Sequence, residues 1–194
     1  MLEIVKDRIF ENSLLSSGLL TDEQFCANVA VIADRAIETL QKGRRIFFAG
    51  NGGSTSQAQH LAAELSGRFI LDRDPLDAIC LSDNVSFLTA VSNDYSYDHA
   101  FERALQAHGR KGDLLFLLST SGTSDNIVKL SAKATELGVQ RVFMTGLKGI
   151  NNADSCEFKV LVPSLDTARI QEIHLLVGHI ICEIIESRMF ATKK

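Results

Sequence analysis

Five short runs of large aliphatic, aromatic and β-branched residues, at 45–49, 78–81, 113–118, 141–145 and 158–162, alternate with longer stretches whose apolar residues recur at helical spacing. Strands separated by helices cannot pair as hairpins. They are expected to form a parallel sheet with helices on both faces, a three-layer α/β sandwich built on a five-stranded, mostly parallel sheet. The chain has 194 residues, 45% of them hydrophobic and only two of them proline, enough to build one domain around a substantial core.

The clearest helical pattern begins at Thr21. Its hydroxyl is positioned to cap the helix while Gln24 reaches back, and Phe25, Val29, Ile32, Ala36 and Leu40 follow on one face before Gly43 ends the run. The residues before Gly18 read as another helix. A last long helix follows Pro163 from about 167 to 189 and is rich in Ile and Leu on most sides, so it is expected to be buried against the sheet or another subunit, which favours an oligomer. The formal charge of −4 and the absence of a dense Lys/Arg tract argue against nucleic-acid or anionic-membrane partners. Cys26, Cys80, Cys156 and Cys182 show no CxxC spacing, and the first eight residues lack a basic stretch followed by an apolar one. A cytoplasmic protein with reduced thiols is expected, and no segment has the apolar length of a membrane span.

Two turns carry the chemistry. Directly after the third run comes Ser119-Thr120-Ser121-Gly122-Thr123-Ser124, which leads into the helix-patterned stretch 127–137. A helix start offers unpaired amides and a partial positive charge, and small hydroxyls add donors without bulk, so a phosphate monoester fits there. A nucleotide P-loop needs a lysine at its end, and none lies between Lys111 and Lys129. The same residues also favour an ordinary turn and N-cap for local reasons. The second turn, Gly50-Asn51-Gly52-Gly53-Ser54, hands the first run over to a helix carrying Ala58, Leu61, Ala62 and Leu65. A dinucleotide fingerprint would have glycine where Thr55 stands, so the glycines are better read as admitting a polar ligand above the carboxyl ends of the strands.

His60 and Glu64, four apart, project from one face of that helix, and Gln171 and His179, eight apart, share a side of the last one. Two imidazoles, a carboxylate and an amide oxygen make a ligand set suited to zinc, whereas a lone helical histidine is commonly a surface or hydrogen-bonded residue. Asn93-Asp94 offers short polar groups to sugar hydroxyls, or forms a plain turn. His99, His108 and His174 read as structural or solvated.

Taken together, the glycine turn, the stretch from Ala58 to Arg68, Asn93-Asp94, the serine turn and the stretch from Ala168 to His174 resemble the bacterial phosphoheptose isomerases of the sugar-isomerase (SIS) domain family, over nearly the whole chain. The resemblance implies a flavodoxin-like single domain over 1–194, with N-terminal helices in 1–42 used for packing and self-association and an α/β core in 43–194. It implies conversion of sedoheptulose 7-phosphate into a heptose 7-phosphate, an early step towards the nucleotide-activated heptose of lipopolysaccharide or capsule, by a homotetramer with sites between subunits. By matching motifs, Asn51, Gly52, Gly53, Glu64, Asn93, Asp94, Ser119, Thr120, Ser121, Ser124 and Gln171 would bind substrate. His60, Glu64, Gln171 and His179 would hold zinc, with Glu64 and His179 also the acid–base pair. Ser96, where many members carry glycine, and a glycine-poor loop at 148–152 are departures that bear on substrate detail. A non-catalytic relative that binds the replication initiator or senses a sugar phosphate would keep the two turns but would not need Glu64 and His179 together.

Overall fold

The computed structural model describes residues 1–190; residues 191–194, part of the expected domain, lie outside the described residues. The sheet expected to be mostly parallel is parallel throughout, in all four pairings of its five strands. The strands are β1 (Ile46–Gly50), β2 (Ala78–Cys80), β3 (Leu114–Leu118), β4 (Gln140–Gly146) and β5 (Phe158–Val162), in the spatial order β2-β1-β3-β4-β5. All residues of β1 and β3 are buried, as expected for central parallel strands covered on both faces.

Alternate strand residues feed two separate cores. Ile46, Phe48, Leu114, Phe116, Leu118, Val142 and Met144 point to a layer formed by α2 (Glu23–Gln41), α3 (Gly53–Ser66) and α8 (Thr167–Phe190), through Ile32, Ala36, Leu61, Leu65, Val177 and Ile181. Phe47, Ala49, Leu115, Leu117 and Phe143 point the other way. They meet α5 (Ala100–His108) and α6 (Asp125–Leu137) through Phe101, Leu105, Ile127, Leu130 and Ala134. Three further α-helices, α1 (Leu2–Thr21), α4 (Val85–Asp94) and α7 (Ile150–Ala153), complete the α-helices among the described residues.

The N-terminal helix boundary differs from the sequence expectation. Gly18 does not end α1, which runs on to Thr21, whose hydroxyl donates back to the Gly18 carbonyl at 3.0 Å. Asp22 is therefore the residue left in extended geometry, and its carboxylate caps α2 by accepting from the Phe25 amide at 2.9 Å. Gln24 donates forward to the Asn28 side chain instead of reaching back. A carboxylate cap also complements the positive end of the helix better than a hydroxyl does.

The strand order decides where a ligand can lie. β1 sits between β2 and β3, and its end pairs with the end of β3, Gly50 beside Leu118. From those neighbouring ends the chain leaves to opposite faces, into α3 after β1 and into α6 after β3. A crevice at the carboxyl edge follows from that divergence.

Candidate functional site

At this switch point the glycine and serine turns stand side by side, and asparagines tie them together. Asn51 and Asn126 exchange amide hydrogen bonds, both 2.8 Å, and the Tyr97 phenol donates to the Asn51 oxygen at 2.8 Å. Burial pushes the Tyr97 phenol above its ordinary value, so it remains a donor at neutral pH. The Asn51 side chain is thus a strut between the turns. Neither Asn126 nor Tyr97 stood out in the sequence.

Gly52 caps α3 with φ of 53°, a left-handed conformation in which a side chain would be strained. In the serine turn Gly122 has φ of 67°, and an added Cβ would stand 2.3 Å from the Gly149 Cα. The turn is closed by Ser119 Oγ, buried and accepting from the Gly122 amide at 3.1 Å, and held from outside by Asn152, which donates to the Gly122 carbonyl at 2.7 Å. Ser121 Oγ accepts from the Thr123 amide at 3.3 Å. Ser124 is the N-cap residue of α6, yet its hydroxyl makes no bond to the helix amides and stays available. Asn93 and Asp94, at the end of α4, are exposed and bonded to each other at 3.0 Å.

The second group lies where one face of α3 runs along one face of α8. His60 Nε2 stands 2.8 Å from His179 Nε2 and 3.3 Å from Glu64 Oε1, and the ligand atoms of all three residues fall within 4.8 Å of one another. Two ligand nitrogens around a tetrahedral zinc ion are about 3.3 Å apart, from Zn–N bonds near 2 Å, so a small adjustment would let an ion between them. The donors and their spacing fit a metal. Close approach of the helices is set by Gly178, where a Cβ would meet Leu61 Cδ1 at 2.5 Å.

Gln171 is placed elsewhere on that seam. Its side chain lies against the start of α3, donating to Ser54 Oγ at 3.3 Å, and a Cβ on Gly53 would meet its Nε2 at 2.8 Å. Eight residues of helix separate it from His179, about 12 Å along the axis. Gln57, which sequence reasoning missed, donates to the Gln171 carbonyl at 2.6 Å and helps zip the seam. His99 bonds Glu102, His108 is exposed, and His174 is wholly buried. The four cysteines are free thiols, and burial pushes Cys182, close behind Glu64, up to about 12.

A family model described as the SIS domain matches residues 19–146. The chain belongs to the SIS domain family. Similar full-length relatives of this SIS domain include the phosphoheptose isomerase of Aneurinibacillus thermoaerophilus, 42% identical over 193 residues, covering 100% of this chain and 98% of the relative. That of Mycobacterium tuberculosis is 45% identical over 184 residues, covering 95% and 94%. Among solved structures, a phosphoheptose isomerase from Neisseria gonorrhoeae superimposes with a TM-score of 0.89 at 33% identity, covering 96% of this chain and 98% of that one. None of the described helices is long and apolar enough to cross a membrane.

Proposed function

We propose that this SIS domain is an aldose–ketose isomerase that converts sedoheptulose 7-phosphate into D-glycero-D-manno-heptose 7-phosphate. The observation that carries the reading is the convergence of His60 and Glu64 with His179, which lies 119 residues beyond His60, in a chain whose full-length relatives at 42% and 45% identity are named phosphoheptose isomerases. A non-catalytic sugar-phosphate binder would need the two turns and not this group.

In this reading Ser119, Thr120, Ser121 and Ser124 hold the phosphate, with Ser124 and the first amides of α6 as its donors. Gly52, Gly53 and the Asn51 backbone line the sugar, and Asn93 and Asp94 meet its hydroxyls. Moving a carbonyl between C2 and C1 requires a proton to leave one carbon, an enediol to form, and a proton to return to the neighbouring carbon. Glu64 carries that proton between the carbons. His179 faces the oxygens and supplies or accepts the proton that moves between them. His60, Glu64 and His179 would hold a zinc ion, with Gln171 as a further ligand once its side chain turned from Ser54 towards them; the ion when bound lends Lewis-acid stabilisation to negative charge on oxygen.

The assembly expected in this reading is a homotetramer with sites shared between subunits, and α1 supports self-association by leaving Ile4, Val5, Ile9, Phe10 and Leu14 exposed. The reading places the enzyme in the cytoplasm, where its product would enter the route to nucleotide-activated heptose for lipopolysaccharide or capsule. Incubation with sedoheptulose 7-phosphate, with and without chelator, tests it. Formation of the aldose, lost on chelation and restored by zinc, is expected. An inert protein that still binds the sugar phosphate would return the chain to the binding class, and turnover on a different ketose phosphate alone would replace the substrate.

A further inference from the structure

Beyond the histidine pair, the seam between α3 and α8 is closed by a buried ion pair that none of the chemistry above employs. Arg73 and Glu186 have side chains 2% and 3% exposed, and Arg73 Nε donates to Glu186 Oε1 at 3.0 Å. The other Glu186 contacts are backbone amides of the irregular segment that follows α3. Phe69, Ile70 and Leu71 donate to the carboxylate at 3.2, 2.8 and 2.8 Å. The Arg73 guanidinium turns its remaining nitrogens to the end of α3, donating to the carbonyls of Glu64 and Leu65, each at 2.8 Å, and Gly67 at 3.2 Å. These are the carbonyls a helix leaves without partners at its C-terminal turn. The strap thus clamped carries Phe69, whose ring centroid is 5.7 Å from that of His179. Glu186 lies seven residues beyond His179 on the same face of α8, two turns along.

We infer that Arg73 and Glu186 are positioning residues for the His60–Glu64–His179 group, acting by clamping residues 67–73 so that Phe69 braces the His179 ring and the last turn of α3 holds Glu64 in register. This inference rests on the proposed role of that group. A buried ion pair is by itself poor evidence of a net gain in stability, because desolvation opposes the attraction. Here the carboxylate takes four donors and the guanidinium at least three carbonyls, an arrangement that fixes geometry in two elements at once. Groups that orient ligating side chains in this way change metal affinity by about 10- to 100-fold when removed.

The experiment uses the full-length protein and three variants. Arg73→Lys keeps the charge and loses the fork, Phe69→Ala removes only the brace, and Arg141→Lys is the control. Arg141 makes a less buried ion pair with Glu157 at 2.9 Å, the side chains 9% and 38% exposed, remote in the fold at the start of β4. Two readouts are taken on folded protein: zinc affinity by chelator competition, and the ring carbon–proton NMR signals of His60 and His179 in the metal-free state, assigned with His60→Asn and His179→Asn. Arg73→Lys is expected to weaken zinc at least about tenfold and to move or broaden the His179 signals, Phe69→Ala to weaken zinc comparably, and Arg141→Lys to do neither. Unchanged affinity and unmoved His179 signals in folded Arg73→Lys would overturn the inference, as would equal effects from Arg141→Lys. If Arg73→Lys does not fold, Phe69→Ala decides through zinc affinity. If the parent binds no zinc, the metal reading of the site fails, and the His179 signals of Arg73→Lys still decide the clamp.

Discussion

His174 is the residue on which acid should act first. Its ring, on α8, is wholly buried, and neither ring nitrogen has a hydrogen-bond partner of good geometry. Burial lowers its pKa from the ordinary 6.5 to about 4, with a backbone contact to Thr145 offsetting little of that. In the unfolded chain the imidazole takes up a proton near the ordinary value while the folded protein refuses it, so between those limits the unfolded state binds more protons. Stability is therefore undiminished above the ordinary value and is lost as the pH falls through the window, to a ceiling of about 3 kcal/mol. Between about pH 7.5 and about pH 5 the loss works out at about 2 kcal/mol. The assay is urea denaturation at fixed protein concentration, because assembly would add a concentration term, with parent and His174→Leu measured at both pH values. Leucine fills similar space and leaves no orphaned nitrogen, so the variant should be about as stable as the parent at the higher pH. At the lower pH it should lead by about 2 kcal/mol. Carboxylates titrate alike in both proteins and cancel in the difference. A difference that is the same at both pH values would refute the reasoning, since it would mean that His174 is either charged in the fold or relieved by a polar partner.

Glu64→Gln should keep the fold and still bind the sugar phosphate while turnover falls at least about 100-fold; unchanged turnover would remove Glu64 from the proton path. Ser124→Ala removes a hydroxyl that the fold does not use, and should raise KM about tenfold or more with little change in melting temperature, read by steady-state kinetics and thermal denaturation. Gly178→Ala drives a methyl group to within 2.5 Å of Leu61, and should cost about 1–3 kcal/mol by denaturant titration while weakening zinc, because the same contact spaces His60 from His179. Glu186→Ala leaves Arg73 buried without its partner, and a loss of about 3–5 kcal/mol is expected from the same titration.

How much of the fold and of the site is legible in the sequence depends on the range of the forces involved. Strand and helix identities follow from patterns a few residues long, and the five runs reappear as the five strands with ends shifted by a residue or so, β5 without any shift. The cap of α2 failed by one position because Thr21 and Asp22 are both good capping residues; α1 running past Gly18 settled the choice, and that is a packing outcome. His60 with Glu64 was legible because helical spacing alone puts them on one face. The same argument brought Gln171 and His179 to one side of α8 but was blind to the axial distance, which leaves Gln171 against Ser54 instead of beside the imidazoles. Residues that act only through distant partners left no signal. Asn51 meets Asn126 across 75 positions, and Arg73 meets Glu186 across 113. Nothing in the composition of residues 67–73 sets that strap apart from an ordinary surface loop. Its role exists only because two helices, each legible alone, come close enough at Gly178 for one carboxylate to hold the chain between them, so the groups nearest the chemistry were easier to find than the groups that aim them.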